Sequence, residues 1–336
     1  MIFKRYSGNP IIKPDPENEW ESLVTCNPAC VYEKGTFYLF YRCAGNDYDH
    51  KINIALATSK DGFHFQRYEK NPVLAFTDGM SDGGLEDPRI VKMGDCFVMS
   101  YAYRPYAPGQ YWKHINSPTL DYGCPKDAPE FFVKNLSATA FAFSGDLFNW
   151  KRMGRVTDTK SDNRDVYLFP EKINGQYVRF ERPEHFGDAS LPPSIWLNFS
   201  SDLMEWQQSP KFLCKPEEEW EEVKIGGSTP PIRTEEGWLC LYHGVARDYT
   251  YRVGALILDL KDPMKILYRT KKPIFEPEFD YEKNGFVSNV VFPTAAVPVE
   301  NTLYLYYGAS DQYVGVATAD MKMLLKEIIS PENKVK

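Results

Sequence analysis

Apolar and polar positions alternate along this chain in short bursts, and the bursts recur. One unit opens on a turn residue and continues as an aromatic-rich alternating run. It appears as Gly35-Thr-Phe-Tyr-Leu-Phe-Tyr-Arg42, Gly94-Asp-Cys-Phe-Val-Met-Ser-Tyr101, Gly175-Gln-Tyr-Val-Arg-Phe-Glu-Arg182, Gly237-Trp-Leu-Cys-Leu-Tyr-His243 and Asn301-Thr-Leu-Tyr-Leu-Tyr-Tyr307. β-Branched and aromatic residues entered from a turn read as a strand. A second unit follows each copy: an apolar run closing on Asp61, Asp146, Asp202, Asp259 or Asp320. In the first three, Ser stands two residues before the Asp and an aromatic (Phe65, Trp150, Trp206) starts the next strand. These aspartates recur with the repeat, which marks them as scaffold turns. Helical periodicity is confined to the region around Met321 to Ile329.

Strand pairs recurring at intervals of roughly 60 to 80 residues predict sheets arranged around an axis, an arrangement that protects strand edges. The expected fold is all-β: a five-bladed β-propeller spanning residues 1–336 as one domain. The innermost strand of each blade should precede the Gly-aromatic run, at Asn27–Val31, Asp87–Val91, Val166–Pro170, Ser228–Ile232 and Val291–Ala295. The second blade carries a Pro- and Tyr-rich insertion, about 104–135, too aperiodic for an element of its own. Long loops of this kind serve as lids, binding loops or assembly contacts. It is expected to shape one side of the site, and it offers a contact for a homo-oligomer.

Composition narrows the class. Aromatics make up 15% of the chain, and the net charge is −7 without a basic run, which argues against nucleic acid or an anionic membrane surface as partner. The opening Met1-Ile2-Phe3-Lys4-Arg5 has no apolar signal segment, and no apolar stretch reaches membrane-spanning length. Seven scattered cysteines, several inside strand-like runs, fit reduced thiols and a cytoplasmic setting. Five separated histidines show no metal-ligand spacing, so no metal or organic cofactor is expected.

The stretch Gly83-Gly-Leu-Glu-Asp-Pro-Arg-Ile90 departs from the scaffold. Two acids beside an arginine at a strand mouth are costly unless they are used or paired. Glu86 and Arg89 have a structural reading as a mutual ion pair. Inner strands of a propeller converge, so polar residues distant in sequence share one pocket. At their ends, and at those of the second strands, stand Asn27, Arg42, Asp87, Arg89, Arg164, Asp165, Lys172, Arg182, Lys224, His243 and Asp311. Cations appear in surplus over carboxylates in this set, and such a funnel favours an anion, phosphate being the natural small one. Tyr103, Tyr106, Tyr111, Trp112 and Phe292 are candidates for stacking on a bound ligand or for core packing.

The chain resembles glycoside hydrolase family 130, the inverting β-mannoside phosphorylases and related mannosidases. The resemblance covers nearly the whole chain. It is carried by Asn27-Pro-Ala, Phe40-Tyr-Arg42, Gly84-Leu-Glu-Asp-Pro-Arg-Ile90, Arg164-Asp-Val-Tyr-Leu-Phe-Pro-Glu-Lys172, Glu181-Arg-Pro183, Lys224-Ile-Gly-Gly, Leu241-Tyr-His-Gly-Val245 and Tyr307-Gly-Ala-Ser-Asp311. It implies a five-bladed propeller, in agreement with the repeat count. It further implies that Asp87 is the catalytic acid, acting through the 3-hydroxyl of the mannosyl ring. Asn27, Arg42 and Asp311 would hold that mannosyl unit, with Glu86 and Arg89 flanking it as substrate-binding residues. Arg164, Arg182, Lys224 and His243 would bind phosphate, the co-substrate. The expected reaction is inverting phosphorolysis of a β-mannoside, of manno-oligosaccharide or mannosyl-glucose type, to α-mannose 1-phosphate.

The chemistry is consistent with that pattern. An inverting hydrolase needs a second carboxylate to activate water, whereas phosphate is already an anionic nucleophile. The alternative is an inverting β-mannosidase, with Glu181 or Glu86 as base. The family often shows His-Arg-Pro where this chain has Glu181-Arg182-Pro183, and a carboxylate beside Arg182 would weaken phosphate binding. A non-catalytic glycan-binding propeller would repeat its site in every blade, and here the special residues differ between blades.

Overall fold

The computed structural model describes residues 2–77, 83–110, 113, 125, 127–160, 162–184 and 190–335. Five antiparallel sheets form the blades of a propeller. From the axis outward, blade 1 runs Val24–Glu33, Thr36–Ala44, Ile52–Ser59, Gln66–Arg67, and blade 2 runs Gly84–Met93, Cys96–Arg104, Ala138–Ser144, Lys151–Arg155. Blade 3 consists of Asn163–Leu168, Tyr177–Pro183, Ile195–Ser200 and Lys211–Cys214. Blade 4 consists of Lys224–Gly227, Trp238–Val245, Tyr251–Leu258 and Ile266–Arg269, with Ile232–Arg233 pairing beside the first. In blade 5, Val291–Val299, Thr302–Ala309 and Tyr313–Asp320 are completed by Lys4–Arg5, which pairs with Ala317 and Thr318. The ring is thus closed by a strand from the opposite end of the chain.

The recurring aspartates are turn caps. Asp61 Oδ1 accepts the backbone N–H groups of Phe63 and His64, Asp146 Oδ1 those of Phe148 and Asn149, and Asp202 Oδ1 those of Met204 and Glu205. Asp259 caps the equivalent turn of blade 4 through Lys261 and Asp262, and Asp320 caps the helix Met321–Ile328 through the N–H of Met323. Such a side chain replaces the missing backbone acceptors of a tight turn.

The apolar core lies between blades. Phe40 meets Trp150 edge-on between blades 1 and 2, Phe169 meets Trp238 between blades 3 and 4, and Phe37 packs on Tyr304 between blades 5 and 1. Each large buried side chain contributes on the order of 1.5–3 kcal/mol by leaving water. Three blades add a buried carboxylate clasped by a tyrosine and an arginine. Glu21 accepts from Tyr41 Oη at 2.9 Å and Arg67 Nε at 2.7 Å, and Glu282 from Tyr307 Oη and Arg5 Nε, both at 2.7 Å. Glu221 takes Tyr242 Oη at 2.8 Å and Arg269. Removing one partner of such a buried set leaves an uncompensated charge, at a cost of about 3–5 kcal/mol.

Two details differ from the sequence expectation. In blade 4 the innermost strand is Lys224–Gly227, ahead of the predicted Ser228–Ile232, because Pro230 and Pro231 offer no N–H to a ladder. The insertion of blade 2 contains a one-turn helix, Glu130–Val133. Tyr111 and Trp112 lie outside the described residues. No helix among the described residues is long and apolar enough to cross a membrane.

Candidate active site

The inner strands of blades 1, 2 and 3 share a backbone device. Each breaks register once, between Cys26 and Ala29, Glu86 and Arg89, and Arg164 and Tyr167. Inside each break sits a residue with positive φ: Asn27 at 46°, Asp87 at 53° and Asp165 at 60°. A bulge re-aims a side chain that the pleat would otherwise turn sideways, and Asn and Asp tolerate the left-handed region best among residues with a Cβ. Three polar side chains from three blades are thereby directed at one axial cavity of about 240 Å³.

That cavity is lined by Asn27, Arg42, Glu86, Asp87, Arg164, Arg182, Lys224, His243 and Asp311, so nine of the ten predicted site residues come together. Asp165, Glu184, Tyr251, Val287, Val290 and Phe292 complete the wall. Arg89 is the exception. It is buried against the wall behind the cavity, where it donates to Asp165 Oδ1 at 2.9 Å and to the carbonyl of Ser228 at 2.8 Å. The proposed Glu86–Arg89 ion pair does not form; Glu86 binds Arg104 Nε at 3.0 Å and faces Arg42 at 3.4 Å. The bulge separates the two residues and sends them to different partners. Lys172 also stays out of the site, exposed with its ammonium over the Tyr177 ring at 4.2 Å.

Blades 1, 2 and 5 form an acidic end. Asp87 Oδ1 accepts from Asn27 Nδ2 at 2.7 Å and lies 3.4 Å from Arg42 Nη1, while Oδ2 carries no hydrogen bond among the described residues. Burial pushes Glu86 up, but Arg42 and Arg104 hold it well below the ordinary carboxylate range. Burial, with Asp87 and Glu86 nearby, raises Asp311 to about 6 against the pull of Arg42. Gly308 is required here: a Cβ would stand 1.8 Å from Asn27 Oδ1.

Blades 3 and 4 form a cationic end. Arg164 and Arg182 are directly opposed across two strands, a placement that like charges disfavour. Counter-acids hold them there. Arg164 grips Asp162 through Nε at 2.7 Å and Nη2 at 2.5 Å; Arg182 Nε bonds Asp165 Oδ2 at 2.7 Å, with Glu184 3.4 Å from Nη1. Lys224 has no carboxylate within ion-pair distance among the described residues; its ammonium lies 5.0 Å from the centre of the Tyr251 ring. Burial, then the charges of Arg182 and Arg164, lower it to about 8. Burial takes His243 down to about 3, so it is a neutral imidazole, packed between Tyr251 and Phe292. Gly226 lets blade 4 close on this group: a Cβ would meet His243 Cε1 at 2.5 Å and Asp165 Oδ2 at 2.9 Å.

Two expectations change. The surplus of cations by count disappears, because Asp162, Asp165 and Glu184 accompany the arginines. The asymmetry survives in position, since three cationic groups converge and one of them lacks a counter-ion. Glu181, offered as a hydrolytic base beside Arg182, points to the other face of its strand. There it accepts from Arg179 Nε, Asn198 Nδ2 and Asn163 Nδ2 at 2.7–3.0 Å. Alternation along a strand puts neighbours on opposite faces.

One polar cavity on the propeller axis thus gathers Asp87, Asp311 and Glu86 together with Arg42, Arg164, Arg182 and Lys224, a set suited to a polar, charged substrate. Comparison with known proteins makes this specific: the profile of glycoside hydrolase family 130, described as beta-1,4-mannooligosaccharide phosphorylase, matches residues 9–329. The chain belongs to that family. It is 37% identical over 325 residues to a 1,2-beta-oligomannan phosphorylase of Thermoanaerobacter sp. (strain X514), covering 95% of this chain and 98% of that one. It is 38% identical to a beta-1,2-mannobiose phosphorylase of the same organism, over 94% of this chain and 96% of the relative. The solved beta-1,2-mannobiose phosphorylase of Listeria innocua, in complex with beta-1,2-mannobiose, superposes with a TM-score of 0.79 at 28% identity, covering 98% and 99% of the two chains.

Proposed function

We propose that this protein is an inverting phosphorylase of β-1,2-linked mannosides, releasing α-mannose 1-phosphate and a shortened acceptor. One observation carries the reading: Arg164, Arg182 and Lys224, from blades 3 and 4, line the same axial cavity as Asp87, from blade 2. Forcing an arginine onto an arginine across a strand, with a third cation left without a counter-ion, is unfavourable in the empty protein and is relieved by a polyanion. The names of the relatives favour phosphate as that anion and β-1,2 as the linkage.

In this mechanism Asn27, Arg42 and Asp311 hold the mannosyl unit, and Asp87 supplies the proton to the departing glycosidic oxygen. A phosphate oxygen, held by Arg164, Arg182, Lys224 and neutral His243, forms the bond to C1 as the C1–O bond breaks on the opposite face. Asp87 regains its proton from solvent. No second carboxylate base and no cofactor enters. Asp165 aligns Arg182 behind the phosphate, and Arg89 in turn anchors Asp165.

The test is to incubate the protein with β-1,2-mannobiose, with and without inorganic phosphate, and follow the products by ³¹P NMR. α-Mannose 1-phosphate appearing only with phosphate is the expected result. Free mannose released equally fast in both tubes would overturn the reading in favour of hydrolysis.

A further inference from the structure

A cavity of about 240 Å³ is smaller than the roughly 300–1,000 Å³ that encloses a drug-sized ligand. On the reading above it takes the cleaved mannosyl unit and phosphate, so the rest of a longer substrate lies across the mouth. Two exposed side chains on turns that follow cavity-lining strands are otherwise unexplained. Tyr48 stands in the turn that follows the strand of Arg42, and Tyr249 in the turn that follows the strand of His243. Both turns therefore rise from the cavity end of their blades.

The two turns are built alike. Each carries an Asp-Tyr pair, Asp47-Tyr48 and Asp248-Tyr249. In each, the Asp Oδ1 accepts the backbone N–H two residues on, at 3.1 Å from Asp49 and at 2.9 Å from Thr250. The tyrosines project from these braced turns into solvent, 86% and 75% exposed, without a hydrogen bond or ring partner for either side chain among the described residues. Tyr249 also holds φ at 59°, a strained value for a bulky residue that is seldom kept without a use. Blade 5 lies between blades 1 and 4 in the ring. Its approach segment places Val287 in the cavity wall, partly exposed, and Phe286 against His50 of the Tyr48 turn. Tyr48, Phe286 with Val287, and Tyr249 thus follow one another in ring order, a crescent of aromatic and apolar side chains from blades 1, 5 and 4.

We propose that Tyr48 and Tyr249 are stacking platforms for the sugar residues of a β-mannoside beyond the one in the cavity, and that they set the preference for longer substrates. The proposal rests on the glycoside-cleaving reading but not on phosphate as the nucleophile. An aromatic ring offers an apolar face to a sugar's C–H face while its hydroxyl stays wet, and a braced turn presents it with little ordering cost.

The experiment compares kcat/KM for β-1,2-mannobiose and β-1,2-mannotetraose, at saturating phosphate, in the wild type, Tyr48→Ala, Tyr249→Ala and the double variant. The tetraose-to-biose ratio should fall about three- to tenfold for each single variant, through KM, with the disaccharide constants within about twofold. Tyr48→Trp and Tyr249→Trp should keep the ratio. An unmoved ratio overturns the proposal, and so does an equal loss on both substrates. A change in oligomeric state with the ratio intact would assign the crescent to a second copy of the chain and also overturn it. If the wild type releases mannose without phosphate, the phosphorolysis reading fails, and the same ratio, measured by hydrolysis, still decides this one.

Discussion

Asp87 and Asp165 occupy the same place in neighbouring blades. Both follow a charged residue, both sit in a bulge of the innermost strand at positive φ, and both enter the same cavity wall. Their surroundings differ. Asp165 is saturated: Arg182 and Arg89 each take one of its oxygens and, against the effect of burial, hold it far below the ordinary range. Asp87 takes an amide and the edge of one guanidinium on a single oxygen and keeps the other. One backbone geometry thus serves two tasks, and the number of cations at each carboxylate decides which. Asp87 keeps one oxygen unengaged by any described partner, whereas both oxygens of Asp165 are engaged by arginines.

Breaking the comparison at Asp87 should have the largest effect. Asp87→Asn is expected to lower kcat about 10²- to 10⁴-fold, with the phosphate KM little changed, in steady-state assays of sugar phosphate release. Next comes Asp165→Asn, which strands Arg89 and Arg182. It should cost about 3–5 kcal/mol of stability in denaturant titration and raise the phosphate KM at least about tenfold. A kcat loss as deep as that of Asp87→Asn, with phosphate binding intact, would refute the division of labour.

The cationic end can be probed by pH. Lys224 sits near 8, so its ammonium is present below that value and is lost as the pH rises through it. Between pH 7 and 9 the phosphate KM should rise about tenfold from this group. Lys224→Arg, which stays charged, should flatten that profile; an unchanged slope would remove Lys224 from the anion site. The smallest effect is expected at Glu184, which reaches Arg182 from the partly exposed edge of the cavity. Glu184→Gln should alter turnover by less than about fivefold, as for an exposed ion pair. A loss beyond a hundredfold would make it a base and revive hydrolysis.

The fold was legible because a propeller writes itself into sequence as repetition. The aromatic-rich run recurs in all five blades, opened by Gly in four and by Asn301 in the fifth, and each is followed by an Asp that caps a turn or, at Asp320, a helix. The cavity was legible because inner strands converge, so a list of their polar ends is already a list of neighbours. What escaped depends on direction. The parity of the strand settles Glu181 once Arg182 is placed inward, so that error was avoidable from the sequence. The destination of Arg89 was not, because a bulge resets parity and its partners come from blades 3 and 4. Asp162 and Glu184 were passed over because each lies at or just past a strand end, two residues from its arginine, where sequence shows only a polar loop. Cys43 and Cys240, buried with their thiols pushed up by that burial, match the core role their strand-like runs suggested, whereas Cys96, read the same way, is only half-buried at the start of its strand.

The pairing of Lys4–Arg5 with the final sheet has a temporal side. Arg5 reaches Glu282, beside Tyr307, so the outer seam of the last blade stays unfastened until residues nearly three hundred positions apart are both available. During synthesis Asp87 and the arginines can already stand on finished sheets. Asp311, from the last sheet, joins them only when the circle shuts, so a chain stopped short of its C-terminal blade would leave the cavity an open trough lacking that carboxylate.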